Sequence, residues 1–187
     1  MTFPKQSNEQ TLINLSEQVQ ADTAAFIQKI FADDPLTMVV KAHLYIESVL
    51  SRLIATYLEN PKALDLERMP FSQKVQLGIS LGLIDRREKR ALIGLNRIRN
   101  RFVHNLEAVL SKEDAADLLT DLSASDQRRV QRCLEMFGVT HGTYMETLSM
   151  IFTVLYMKYL TLAKGLTLLR NSGISREIIV ARLRELY

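Results

Sequence analysis

The residues best suited to chemistry fall in one short segment, Leu95-Asn96-Arg97-Ile98-Arg99-Asn100-Arg101-Phe102-Val103-His104-Asn105. It sets a single histidine at the end of an arginine-rich run. Histidine exchanges protons near neutrality, with an unperturbed pKa of about 6.5, and so suits general acid/base work. An arginine nearby offers a planar fork for phosphate oxygens and for the charge that builds up in phosphoryl transfer. Asn96, Asn100 and His104 are spaced i, i+4, i+8 and share one helix face. Such a polar line beside an apolar one is not needed for packing. Arg99 and His104 are five residues apart, which on an ideal helix is a turn of about 140°. The pair can meet in three ways: Arg99 reaches round, the backbone leaves the helix near Val103, or a second subunit completes the site.

Other candidates are few. His43 and Glu47 are i, i+4 in an otherwise apolar helix. They read either as a hydrogen-bonded pair at the edge of the core or as bringing Glu47 in as an accessory acid near His104. His141 falls in a turn between Gly138 and Gly142 and is expected to be exposed. Cys133, the single cysteine, has no base at a telling spacing. One cysteine and three scattered histidines make neither a disulfide framework nor a Cys/His zinc site, and no metal or cofactor is expected.

The charge is unevenly placed. Between Asp85 and Arg101 stand Arg86, Arg87, Lys89, Arg90, Arg97, Arg99 and Arg101 against only Asp85 and Glu88, an excess of +5 in a chain whose net charge is +3. A concentrated basic stripe suits a polyanion such as nucleic acid, although charge runs also serve simply as solvated helix faces. Arg86, Arg87, Arg90, Arg97 and Arg101 are the candidate nucleic-acid contacts.

These residues need helices to carry them. The 187-residue chain is 47% hydrophobic and 24% charged, which excludes disorder and allows one domain with a sizeable core. All four prolines lie at or before Pro70, and leucine far outnumbers valine, so the expected fold is a single all-α bundle of seven or eight helices spanning 1–187. Ser7-x-x-Gln10 predicts a capping box for a first helix to about Ala32, and Asp34-Pro35 opens a second to about Leu58. Residues 59–70 form a loop, a short helix follows from Ser72 to about Leu81, and Gly82 stops it. Asp85-x-x-Glu88 reads as a capping box for the basic helix. Ser111 and either Ser123 or Ser125 cap two shorter helices, a long helix spans about 143–170, and Ser175 caps a terminal one.

Apolar periodicity marks the core: Val39, Ala42, Ile46, Val49 and Leu53 in the second helix, and Leu92, Leu95, Phe102 and Leu106 in the basic helix. The long helix has Tyr144, Leu148, Ile151, Leu155, Tyr159, Leu162, Leu166 and Leu169, with Met150, Phe152 and Met157 off that stripe, and so belongs at the centre. Its longest apolar stretch, Thr147 to Met157, is too short for a membrane span, which needs about 20 residues. The N-terminal segment lacks the apolar core of a signal peptide, so a cytoplasmic location is expected.

Arg99-Asn100-Arg101-Phe102-Val103-His104 resembles the R-x4-6-H motif of HEPN domains, including the polar residue after the arginine. That resemblance implies a helical bundle, a homodimer and a metal-independent endoribonuclease. Arg99 and His104 would be the catalytic pair, Asn100 the accessory polar residue, and RNA the substrate, cleaved by its own 2′-OH. A role as a toxin or a stress or defence effector would follow, with an antitoxin or regulatory protein as partner. Leu106 stands where some toxin-type members carry tyrosine, so nucleotide modification at that position is not expected.

The surroundings also resemble the mannitol-operon repressor family. The resemblance rests on Ile46-Glu47-Ser48, Phe71-Ser72-Gln73-Lys74-Val75-Gln76-Leu77, Gly82-Leu83-Ile84 and the basic helix, roughly residues 36–106. Relatives of that kind lack the Arg/His pair. This second resemblance implies the alternative, a non-catalytic helical regulator or adaptor acting through protein contacts.

Overall fold

The computed structural model describes residues 5–31, 34–105, 107–138 and 143–171. They form seven α-helices, with no strand among the described residues: α1 (Lys5–Ile30), α2 (Pro35–Tyr57), α3 (Phe71–Ser80), α4 (Lys89–His104), α5 (Lys112–Thr120), α6 (Ala124–Met136) and α7 (Tyr144–Asn171). The fold is the expected all-α bundle. The terminal helix expected after Ser175, and the turn holding His141, lie outside the described residues.

Local chemistry accounts for most helix ends. Asp34 accepts hydrogen bonds from the backbone N–H of Thr37 at 2.8 Å and of Leu36 at 3.3 Å, and Pro35 supplies the first turn of α2. Ser111 and Asp114 bond reciprocally to each other's backbone N–H, a capping box for α5. Ser123, and not Ser125, caps α6. Thr143 and Glu146 make the same reciprocal pair ahead of α7.

Two expected caps are corrected. The chain is already helical at Lys5, so Ser7 lies within α1 and is not its N-cap. Asp85 caps a 3-10 turn, Arg86–Glu88, that precedes α4, but Glu88 does not reach back to the Asp85 N–H as a capping box requires. Its carboxylate goes inward, because a buried cation, Lys158 of α7, waits there at 2.7 Å.

α7 is the axis of the bundle, packed against α1, α2, α5 and α6. Every residue from Leu148 to Tyr156 is buried, so α7 presents no solvent face over that stretch. Each large side chain buried in this way contributes about 1.5–3 kcal/mol. α2 lies against α7, α3 and α4, with Val39, Ala42, Ile46, Val49 and Leu53 all buried as the periodicity predicts.

The corner between α3 and α4 depends on two glycines. Gly82 has φ 74°, a left-handed conformation that ends the α3 segment. A Cβ on Gly78 would stand 2.5 Å from Ile84 Cδ1, so any larger residue there would force the Ile84 side chain to shift. The Gly78 carbonyl accepts the N–H groups of both Leu83 and Ile84. This corner delivers the basic segment to α4.

Candidate active site

α4 stays helical through His104 and ends at Asn105, whose backbone is extended. His104 is exposed in the last turn of α4. Arg99 is half-buried. Its Nη1 donates to Asn100 Oδ1 at 2.9 Å, and its Nε is buried with no partner. With no break in the helix near Val103, Arg99 and His104 leave it about 140° apart. Within one chain the two motif residues are not brought together.

What is brought together is a polar cluster where α2, α3 and α4 meet. His43 of α2 is only 2% exposed, and its Nε2 lies 3.1 Å from Asn96 Oδ1 on α4. Glu47 Oε2 is 3.7 Å from His43 Nδ1, and Glu47 Oε1 accepts from Lys74 Nζ of α3 at 2.7 Å. The Phe71 ring packs on the imidazole at 4.4 Å between centroids. Burial pushes the His43 pKa below its ordinary 6.5. Glu47 and the Asn96 bond oppose that shift, while Arg99 and Lys74 add to it. Glu47 therefore stands beside His43 and Lys74, whereas His104 lies eight residues, about 12 Å, along α4 from Asn96.

Lys74 is the residue whose part sequence reasoning missed. The signal was present, since Lys74 falls three residues after Phe71 and four before Gly78, on the apolar face of α3. A lysine on that face has to have a partner.

The basic stripe divides in two. Arg86, Arg87, Lys89 and Arg90 are exposed around the start of α4. Arg97, also exposed, shares a cleft between α4 and α5 with Asp114, Asp117 and Asp121. Arg101 donates to Asp114 through both terminal guanidinium nitrogens, and Nη2 also donates to the Val109 carbonyl. The acidic face of α5 thus offsets the far end of the stripe, and the uncompensated charge gathers at its start.

The 3-10 turn carrying Arg86 and Arg87 is fastened from below. Lys158 bridges Glu88 at 2.7 Å and Asp126 of α6 at 2.8 Å, all three being buried, and the Tyr159 hydroxyl donates to Glu88. Arg129 approaches the other Asp126 oxygen at 3.5 Å from the rim.

Among the described residues no helix is long and apolar enough to cross a membrane, and no group of three or more His, Cys, Asp or Glu side chains could hold a metal ion. Compared with known protein families, curated proteins and solved structures, the chain matches none.

Proposed function

We propose that this protein is a metal-independent endoribonuclease of the HEPN type, acting as a homodimer. The observation that carries this reading is the makeup of α4. An exposed histidine ends a helix that also bears a half-buried arginine with an unpartnered Nε and opens on four exposed cations, Arg86, Arg87, Lys89 and Arg90. Because Arg99 and His104 diverge within one chain, the working pair in this reading is assembled across the subunit interface.

In that site the RNA 2′-OH attacks the adjacent phosphorus, forming the P–O2′ bond while the P–O5′ bond breaks. His104 takes the proton from O2′ and delivers it to O5′, which leaves a cyclic phosphate and a 5′-OH. Arg99 holds the phosphate oxygens and offsets the added negative charge. Asn100 steadies the guanidinium, and Asn96, one turn earlier on α4, is the accessory group beside it, while Glu47 is committed to Lys74. Proton transfer of this kind contributes about 10²–10⁴-fold in rate.

A second reading, a non-catalytic regulator working through protein contacts, draws on exposed apolar side chains near His104: Val103 is 48% exposed and Val109 76%. The two separate in one assay. Purified protein is incubated with structured and unstructured RNA in EDTA, and the product ends are analysed. Cleavage that persists in EDTA and leaves cyclic phosphates supports the ribonuclease. Complete loss that magnesium restores overturns the mechanism, and no cleavage together with capture of a protein partner favours the regulator.

A further inference from the structure

We propose that His43, buried in α2, is the positioning residue for Arg99, fixing the polar face of α4 through Asn96 while its imidazole is neutral. The inference deepens the ribonuclease reading, on which the use of Arg99 as a phosphate clamp rests.

The geometry assigns the tautomer. Asn96 presents its amide oxygen to His43 Nε2 at 3.1 Å, and an amide oxygen only accepts, so Nε2 carries a proton. Nδ1 has no hydrogen-bond partner, and the nearest Glu47 oxygen stands off at 3.7 Å. That spacing suits two acceptors held apart and is long for an N–H···O bond. Glu47 is satisfied elsewhere, by Lys74 at 2.7 Å. The Phe71 ring covers the imidazole and helps keep water from it.

The groups facing His43 are therefore Glu47 on its own helix, Lys74 and Phe71 on α3, and Asn96 and Arg99 on α4. A neutral imidazole leaves Lys74 as the cation on Glu47, and Arg99 is free of repulsion. A protonated one would turn Nδ1–H on Glu47, compete with Lys74, and set a third positive charge beside Arg99. The Asn96 bond also locks the rotation of α4 one turn before Asn100, whose oxygen holds the guanidinium. His43 acts on Arg99 in both ways without touching the substrate.

The test begins with the full chain and NMR titration of its three histidines, the His43 signal being identified by its loss in His43→Gln. The His43 midpoint is expected below 6.5 and should rise in Arg99→Gln, because one of the cations that lower it is gone. A midpoint unmoved by Arg99→Gln overturns the proposal, whatever the protein does to RNA.

Cleavage supplies the second arm. His43→Leu should lower kcat at least about 10-fold with a smaller change in KM, and His43→Gln, which can still donate to Asn96, should recover several-fold of that loss. The double variant His43→Leu/Asn96→Leu should be no worse than His43→Leu alone. Independent, multiplying losses would overturn the proposal. If the wild-type chain cleaves no RNA, the ribonuclease reading fails, and the Arg99→Gln titration still tests separately whether the His43 and Arg99 side chains are coupled, an unmoved midpoint overturning the proposal. Should His43→Leu not fold, His43→Gln and Asn96→Leu carry the comparison.

Discussion

The ammonium group of Lys158 lies 2.7 Å from a carboxylate oxygen of Glu88, joining the middle of α7 to the turn that opens α4. Taking such charges out of water costs several kcal/mol per ion, and Asp126 and the Tyr159 hydroxyl complete the surroundings that offset it. Lys158→Met should therefore destabilise the protein by about 3–5 kcal/mol, because two buried carboxylates lose their cation. The triple variant Glu88→Gln/Asp126→Asn/Lys158→Met should lose much less. Urea unfolding of both settles the matter, and equal losses would mean that the lysine matters for its packing alone.

His43 predicts a stability change with pH. Its pKa in the folded state lies below 6.5, the value expected when unfolded, so between the two the unfolded chain binds more protons. Stability from this group is complete above about pH 6.5 and falls as the pH drops toward the folded-state value. Wild-type urea midpoints should decline from about pH 7 to about pH 5, and His43→Gln should decline less. Parallel curves would remove His43 from the acid response.

His104 is exposed, so its loss should cost little stability. His104→Ala is expected to melt within a few degrees of wild type while cleavage falls at least about 10²-fold. Arg99→Ala should lose turnover as well. A His104→Ala protein that melts much earlier yet cleaves normally would sink the catalytic assignment.

The two halves of the basic stripe should respond differently to salt. Arg86→Gln and Arg90→Gln should each weaken RNA binding and reduce the slope of log affinity against log salt by about one. Arg101→Gln should change that slope less, since Asp114 already holds its guanidinium. Fluorescence anisotropy across a salt series reads both, and a slope indifferent to Arg86 and Arg90 would make the exposed cations irrelevant to RNA.

Asp114 serves both α5 and Arg101. Burial is the largest influence on its carboxyl and pushes the pKa up, but the Arg101 bond and the Ser111 contacts together bring it below its ordinary 3.8. That contribution is present above about pH 4 and is lost as the pH falls through the folded-state value. Asp114→Asn should cost about 1 kcal/mol through the weakened cap and should raise RNA affinity by releasing Arg101. Unchanged affinity would show that α5 does not hold Arg101 back from polyanions.

The fold was legible because helices announce themselves locally. Asp34-Pro35, Ser111 and Gly82 each act within a few residues, and the apolar stripe of α2 is buried as its spacing requires. The cap misread at Asp85-x-x-Glu88 shows the limit. A glutamate three residues after an aspartate looks the same whether it turns back to the backbone or inward to a lysine 70 positions away, and only tertiary packing decides. The candidate site divides in the same way. Arg99, Asn100 and His104 were readable as a line of residue types, but the link from His43 to Asn96 spans 53 positions, and the joining of Glu47 to Lys74 spans 27.

Burial of α7 on every side from Leu148 to Tyr156 also dictates the order in which the chain can mature. As it leaves the ribosome, α1, α2, α5 and α6 emerge with their inward faces prepared for a helix not yet made, and Glu88 and Asp126 lack the lysine that will neutralise them. The final collapse waits for the last of the described helices, and until then the nascent chain carries apolar surface that invites chaperones or aggregation. A chain truncated before Tyr144 is accordingly expected to show no cooperative melting transition, whereas the same chain mixed with an α7 peptide should regain one.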